Sequence, residues 1–100
     1  MMEWKELGIL RKGNTLTLPS DFNELEIAIY TTNSSHAAVM RISKKNIDRL
    51  DFLSTCMWSQ SNTDNYNYRF SIKNNEISLN AAKTGSTDIT SSTNAHVLYR

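Results

Sequence analysis

Hydrophobic and polar residues alternate with a period of two along most of this chain, the pattern of half-buried strands whose successive side chains point to opposite faces. In Glu24-Leu25-Glu26-Ile27-Ala28-Ile29-Tyr30 the apolar Leu25, Ile27 and Ile29 share one face. Tyr66-Asn67-Tyr68-Arg69-Phe70-Ser71-Ile72 places its aromatics and its isoleucine on one side and Asn67, Arg69 and Ser71 on the other. Glu76 to Ala81 alternates in the same way. Between these two runs, Lys73-Asn74-Asn75 supplies asparagines that tolerate the left-handed backbone of a tight turn, so residues 66–72 and 76–81 are expected to pair as a hairpin.

Weaker strands fill the remainder. Lys5 to Leu10, the turn Arg11-Lys12-Gly13-Asn14 and Thr15 to Leu18, stopped by Pro19, read as a second hairpin. His36 to Ile42, Phe52 to Trp58 and Ala95 to Tyr99 are further candidates. Ile47, Leu50 and Leu53 recur at a spacing of three behind Asn46, a capping residue type, which predicts one short helical turn near residues 46–53. Polar loops are expected at 31–35, 59–65 and 83–93. About eight short strands separated by turn signals predict an all-β fold, an antiparallel β-sandwich of jelly-roll-like kind. Residues 1–100 suit a single domain of that class.

Composition changes the picture in one respect. Hydrophobic residues make up 39% of the 100 residues, enough for a thin core, while Ser 12, Thr 10 and Asn 11 together form a third of the chain. The surface is therefore hydroxylated and amide-rich rather than charged. Eleven basic against 10 acidic residues leave a formal net charge of +1, too small for a bulk field that would draw nucleic acid or an anionic membrane. No run approaches the roughly 20 apolar residues of a transmembrane helix. The start, Met1-Met2-Glu3-Trp4-Lys5-Glu6, lacks the basic and apolar regions of a secretory signal. Cys56 is the only cysteine, which excludes an internal disulfide framework, and its apolar surroundings predict a buried, inert thiol.

Catalytic and cofactor signatures are missing. His36 and His96 have no second ligand at metal spacing, no serine sits in a G-x-S-x-G turn, and the three glycines are too dispersed to cradle a phosphate, so no cofactor and no metal are expected. Glu24 and Glu26 share the outward face of one strand about 7 Å apart, the minimum from which a carboxylate hydrolase can be imagined, although such alternation is ordinary on a solvent face. Asp48 and Asp51 are no stronger. Asp64 lacks the ordered carboxylate spacing of a calcium loop. The sequon Asn33-Ser34-Ser35 has no secretory context.

The aromatics suggest binding instead. Trp58 and Tyr66 bracket Ser59-Gln60-Ser61-Asn62-Thr63-Asp64-Asn65, placing flat apolar faces beside amides, hydroxyls and a carboxylate, the combination that a pyranose ring needs. The candidate ligand-binding residues are Trp58, Asn62, Asp64, Asn65, Tyr66 and Tyr68. The competing reading is that Trp58, Tyr68 and Phe70 belong to the core and the loop is merely solvated.

Two terminal segments add a resemblance. Trp4-Lys5-x-x-Gly8, a short turn, Leu16-Thr17-Leu18-Pro19 and then Glu24-Leu25, together with Asp88-Ile89-Thr90-Ser91 and the final Val97-Leu98-Tyr99-Arg100, resemble a small β-sandwich domain of phage and prophage tail-associated proteins, from tail fibres or baseplates, in gut Firmicutes. That resemblance implies a virion module with no catalytic residues, in which Trp4, Leu18, Pro19 and Leu25 frame the first strands and Val97, Tyr99 and Arg100 form the last. It further implies synthesis in the bacterial cytoplasm, location in the tail, and partners among other tail proteins, in homo-oligomers such as a trimer, or on the host surface; with the aromatic-flanked polar loop, the host-surface partner expected is a cell-surface glycan. Against this stand a purely structural fibre-capping or oligomerisation domain without ligand and a small carboxylate-dependent glycoside hydrolase. Neither nucleic acid nor membrane insertion is expected.

Overall fold

Among the described residues, nine strands divide into two antiparallel sheets. A computed structural model describes residues 3–32, 37–58 and 65–100, with Trp58 described in its backbone only. The strands are β1 (Lys5–Leu10), β2 (Thr15–Thr17), β3 (Glu24–Thr31), β4 (Ala38–Ser43), β5 (Phe52–Trp58), β6 (Asn65–Lys73), β7 (Glu76–Thr84), β8 (Thr87–Asp88) and β9 (Thr93–Tyr99). The first sheet has the order β1-β9-β3-β4. The second has the order β2-β7-β6-β5, with β8 beside the far end of β7. The first two strands thus lie beside late ones, β1 along β9 and β2 along β7, one pair in each sheet, which gives the sandwich its jelly-roll-like closure.

The inner faces meet in a core that period-two alternation dictates. Leu25, Ile27 and Ile29 of β3 and Ala95 and Val97 of β9 are fully buried, facing Phe70 of β6 and Ile77 and Ala82 of β7, also fully buried. Burying one such aliphatic or aromatic side chain stabilises the fold by about 1.5–3 kcal/mol, so these strands hold the two sheets together. The hairpin of β6 and β7 forms where the asparagines predict it: Asn74 and Asn75 adopt φ of 53° and 61°, the pair of left-handed residues of a two-residue turn.

The second expected hairpin does not form. β1 pairs with β9 and β2 with β7, so the turn at Arg11–Asn14 carries the chain from one sheet to the other. The Asn14 side chain closes that turn, accepting from the Arg11 N–H at 2.7 Å and donating to the Ile9 carbonyl at 2.9 Å. Gly8 leaves room for the Leu16 side chain of β2 against β1. Its φ is +153°, the ladder to β9 slips between Glu6 and Gly8, and a Cβ there would sit 2.8 Å from Cδ2 of Leu16 on β2.

Three further expectations change. The helical turn lies at Lys44–Ile47 (α1) rather than near 46–53, since the period-three apolar residues divide: Ile47 is buried, Leu50 is exposed and Leu53 has already joined β5. Residues 83–93 are not a plain loop: β7 reaches Thr84, β8 follows, and a single 3-10 turn spans Thr90–Ser92. Cys56 is exposed, because β5 also alternates and places it on the outer face, while Leu53 is buried on the inner one. A bulge also goes unannounced: Arg69 pairs with Ala81 and Phe70 with Leu79, so Asn80 is the extra residue and Ala82 turns inward in place of Ala81.

Candidate functional site

Of the candidates around the β5–β6 loop, the described side chains are those of Asn65, Tyr66 and Tyr68, and they do not share one surface. Tyr68 is 1% exposed, a core residue whose hydroxyl lies 3.4 Å from Oγ1 of Thr31 on the opposite sheet. Burial pushes its pKa above the ordinary 10.0, the Thr31 hydrogen bond opposes that shift, and nearby Tyr66 adds to it. Alternation is the reason for this correction: Tyr68 follows Tyr66 and precedes Phe70 on the inner face, so it cannot serve a surface ligand. Tyr66 is half-buried and packs against the core, while Asn65 is exposed. The backbone of Trp58 pairs with that of Asn65. The side chain of Trp58, together with Asn62, Asp64, His36 and the sequon, lies outside the described residues.

The carboxylates first considered for hydrolysis are already engaged. Glu26 receives the Arg41 guanidinium at 2.8 Å, and Glu24 receives that of Arg100. The same two arginines lie over the ring of Trp4, at 4.3 Å for Arg100 and 5.4 Å for Arg41, so the outer face of the first sheet is tied across β3, β4 and the chain ends. His96 is a hydrogen-bonded strand histidine, with Nε2 3.0 Å from the Tyr30 hydroxyl.

A better-formed site lies at the other end of the second sheet, at the Lys73 end of β6, about 25 Å along the strand from Asn65. There the β2–β3 connection, α1 with the segment leading into β5, and the β6–β7 turn enclose a cleft of about 570 Å³. Backbone hydrogen bonds fasten all three: Leu18 N–H donates to the Asn75 carbonyl at 2.7 Å, Lys44 N–H to Asn23 at 2.8 Å and Ile72 N–H to Asp51 at 2.7 Å. Pro19 ends β2 and releases the chain to wrap the cleft.

Leu18, Phe22 and Ile47, all buried, form the floor of the cleft, and the half-buried Pro19 and Ile72 with the exposed Leu50 supply its accessible apolar part. The polar part comes from Asp48, Asp51, Asn74 and Asn75 with Ser20 and the flanking lysines. Lys44 reaches over the Phe22 ring, its Nζ 5.8 Å from the ring centre, and pairs with Asp48 at 3.1 Å. Among the described residues, the Asp51 carboxylate has no ion-pair or hydrogen-bond partner. Acceptors, amide donors and hydroxyls thus stand beside an apolar surface in a concavity of ligand size, an arrangement suited to a polyhydroxylated molecule. Lys44 and Lys73 balance Asp48 and Asp51 in charge.

Sequence reasoning missed this cleft because its residues come from three segments read separately, as a strand stop, a helical turn and a hairpin turn. The paired asparagines were the available signal: Asn-Asn suffices for the turn, but it also places two amides at one point of the surface. Among the described residues there is no cluster of three or more metal-ligating side chains, and no helix is long and apolar enough to cross a membrane. Comparison of the chain with protein families, with curated proteins and with solved structures returned no match.

Proposed function

We propose that this chain is a non-catalytic saccharide-binding module of a phage or prophage tail, and that the cleft between the β2–β3 connection, α1 and the β6–β7 turn holds the sugar. One observation carries the reading: the cleft sets Asp51, Asn74 and Asn75 beside the accessible apolar surface of Pro19, Leu50 and Ile72. A sugar ring offers apolar C–H faces and a circle of hydroxyls, and each hydroxyl is best satisfied by a paired donor and acceptor. The balanced charge of the cleft favours a neutral sugar. Attachment to a tail rests on the resemblance of residues 4–25 and 88–100, and many copies on one particle would raise a weak single-site affinity.

The engaged state of the carboxylates supports a binding role over hydrolysis. Glycoside hydrolysis requires two acidic groups flanking one bond. Of the four carboxylates weighed for hydrolysis, Glu24, Glu26 and Asp48 each hold a cation, which leaves only Asp51 of that set without a partner. Titration against neutral cell-wall polysaccharides tests the reading. Binding should fall at least tenfold in D51A and in N74G/N75G and persist in W58A; absence of binding to any neutral glycan overturns it.

A structural role has one observation in its favour. β9 is paired on both sides and offers no edge, but β4 ends the first sheet with Val39 58% exposed. Sedimentation that shows an oligomer dispersed by V39K would favour assembly through this strand.

A further inference from the structure

The outer face of the second sheet carries a second concavity, and its chemistry differs from that of the cleft. The outward side chains form a grid across three strands: Ser54 and Cys56 on β5, Arg69 and Asn67 on β6, Ala81 and Lys83 on β7. Ser54 and Ala81 flank Arg69 in register, and Cys56 and Lys83 flank Asn67. Because Ser54, Cys56 and Ala81 are small, a depression of about 520 Å³ lies among them. The bulge at Asn80 creates it, by turning Ala81 outward opposite Arg69.

Arg69 is preorganised. Its guanidinium carbon lies 3.9 Å from the centre of the Phe52 ring, which fixes the plane of the group and leaves its N–H fork unclaimed. Among the described residues, neither Arg69 nor Lys83 has an ion-pair partner. Asp88 faces Lys83 across the β7–β8 pair and feels its charge without forming an ion pair, while its Oδ1 accepts from the N–H and hydroxyl of Thr90, at 2.9 and 2.6 Å. No carboxylate lines the depression.

We propose that this depression is a second binding site, for the oxyanion of an acidic saccharide, a uronate carboxylate or a phosphate ester. Arg69 supplies a planar donor fork, Lys83 a second positive charge, and Ser54 and Asn67 the polar groups for adjacent hydroxyls. The site goes beyond the neutral sugar assigned to the cleft. It rests on the saccharide reading only for the polymer that bears the anion.

Cys56 reports on the site directly, since its exposed thiol lines the depression. The experiment measures the rate at which iodoacetamide alkylates Cys56 in the folded protein, at constant ionic strength, with glucuronate, inorganic phosphate or glucose added. At about ten times a Kd in the millimolar range, glucuronate, phosphate or both should slow the reaction about tenfold. The anion that protects identifies the source of the charge. Glucose should leave the rate unchanged, R69Q/K83Q should lose the protection, and N74G/N75G should retain it. Equal protection by glucose, equal protection in R69Q/K83Q, or no protection by either anion overturns the proposal. Protection that persists while the cleft binds no glycan removes the function proposed above and leaves this site standing.

Discussion

The hydroxyls of Thr31 and Tyr68 meet at 3.4 Å across the core, joining β3 of one sheet to β6 of the other. Thr31 in turn lies 3.4 Å from the Thr93 hydroxyl, so a small polar chain crosses between the two sheets. A buried phenol is disfavoured as the anion, and the pKa of Tyr68 is accordingly raised above 10.0. In the unfolded chain it ionises at its ordinary value. The protonated group therefore contributes stability that is complete below pH 10 and is lost as pH rises toward the folded-state pKa. Y68F should cost about 1 kcal/mol at neutral pH, the worth of one hydrogen bond, and should flatten the loss of stability above pH 10. Urea titrations across alkaline pH measure both.

Thr90 has the complementary role at acid pH. Its hydroxyl accepts from the buried Ala82 N–H at 3.1 Å and donates to Asp88, whose pKa is lowered from 3.8 first by that bond and then by the Thr90 N–H. With the folded-state pKa depressed, the resulting stability is present above pH 3.8 and disappears as pH falls through the folded value. T90V should destabilise the domain by about 2 kcal/mol, mostly because the Ala82 N–H loses its partner. Carboxylate titration by NMR should show the Asp88 pKa returning toward 3.8.

Gly8 admits the Leu16 side chain between β1 and β2. An alanine there meets both an unfavourable φ of +153° and the Leu16 methyl at 2.8 Å. G8A should cost about 1–3 kcal/mol. The steric part resides in a flexible side chain, so a double-mutant cycle with L16A should show coupling between the two positions. Additive effects would place the whole cost in the backbone.

Cys56 should react with a thiol reagent in the folded protein at a rate close to that of the unfolded chain, and its modification should leave the unfolding midpoint unchanged. The apolar run 52–58 suggests the reverse, a thiol protected until the protein unfolds. Mass spectrometry after timed alkylation separates the two.

That contrast shows what alternation can and cannot reveal. Leu25, Ile27 and Ile29 were legible because three apolar residues alternate with polar ones, and only one face can be buried. On β5 the run is apolar on both faces, so nothing in the pattern says that Phe52 and Cys56 point outward. The β1–β2 crossing was hidden because a turn at Gly13-Asn14 serves a hairpin and a sheet change equally well, and pairing is decided by distant partners on β9 and β7. The cleft was hidden for the same reason: Asp51 and Asn74 are distant in sequence and meet only through the ladder of β6 and its contact with the α1–β5 segment.

The most direct test of the proposed function exploits the turn at Asn74 and Asn75. Both residues have positive φ, which glycine accepts without strain, so N74G/N75G removes two amides from the cleft while keeping the hairpin. Calorimetric titration with neutral cell-wall polysaccharide, paired with thermal unfolding of the same samples, measures binding and fold together. On the proposed function, the unfolding midpoint stays within a few degrees of the parent's and the affinity falls at least tenfold. Unchanged affinity in N74G/N75G, or no binding by the parent protein, would contradict it.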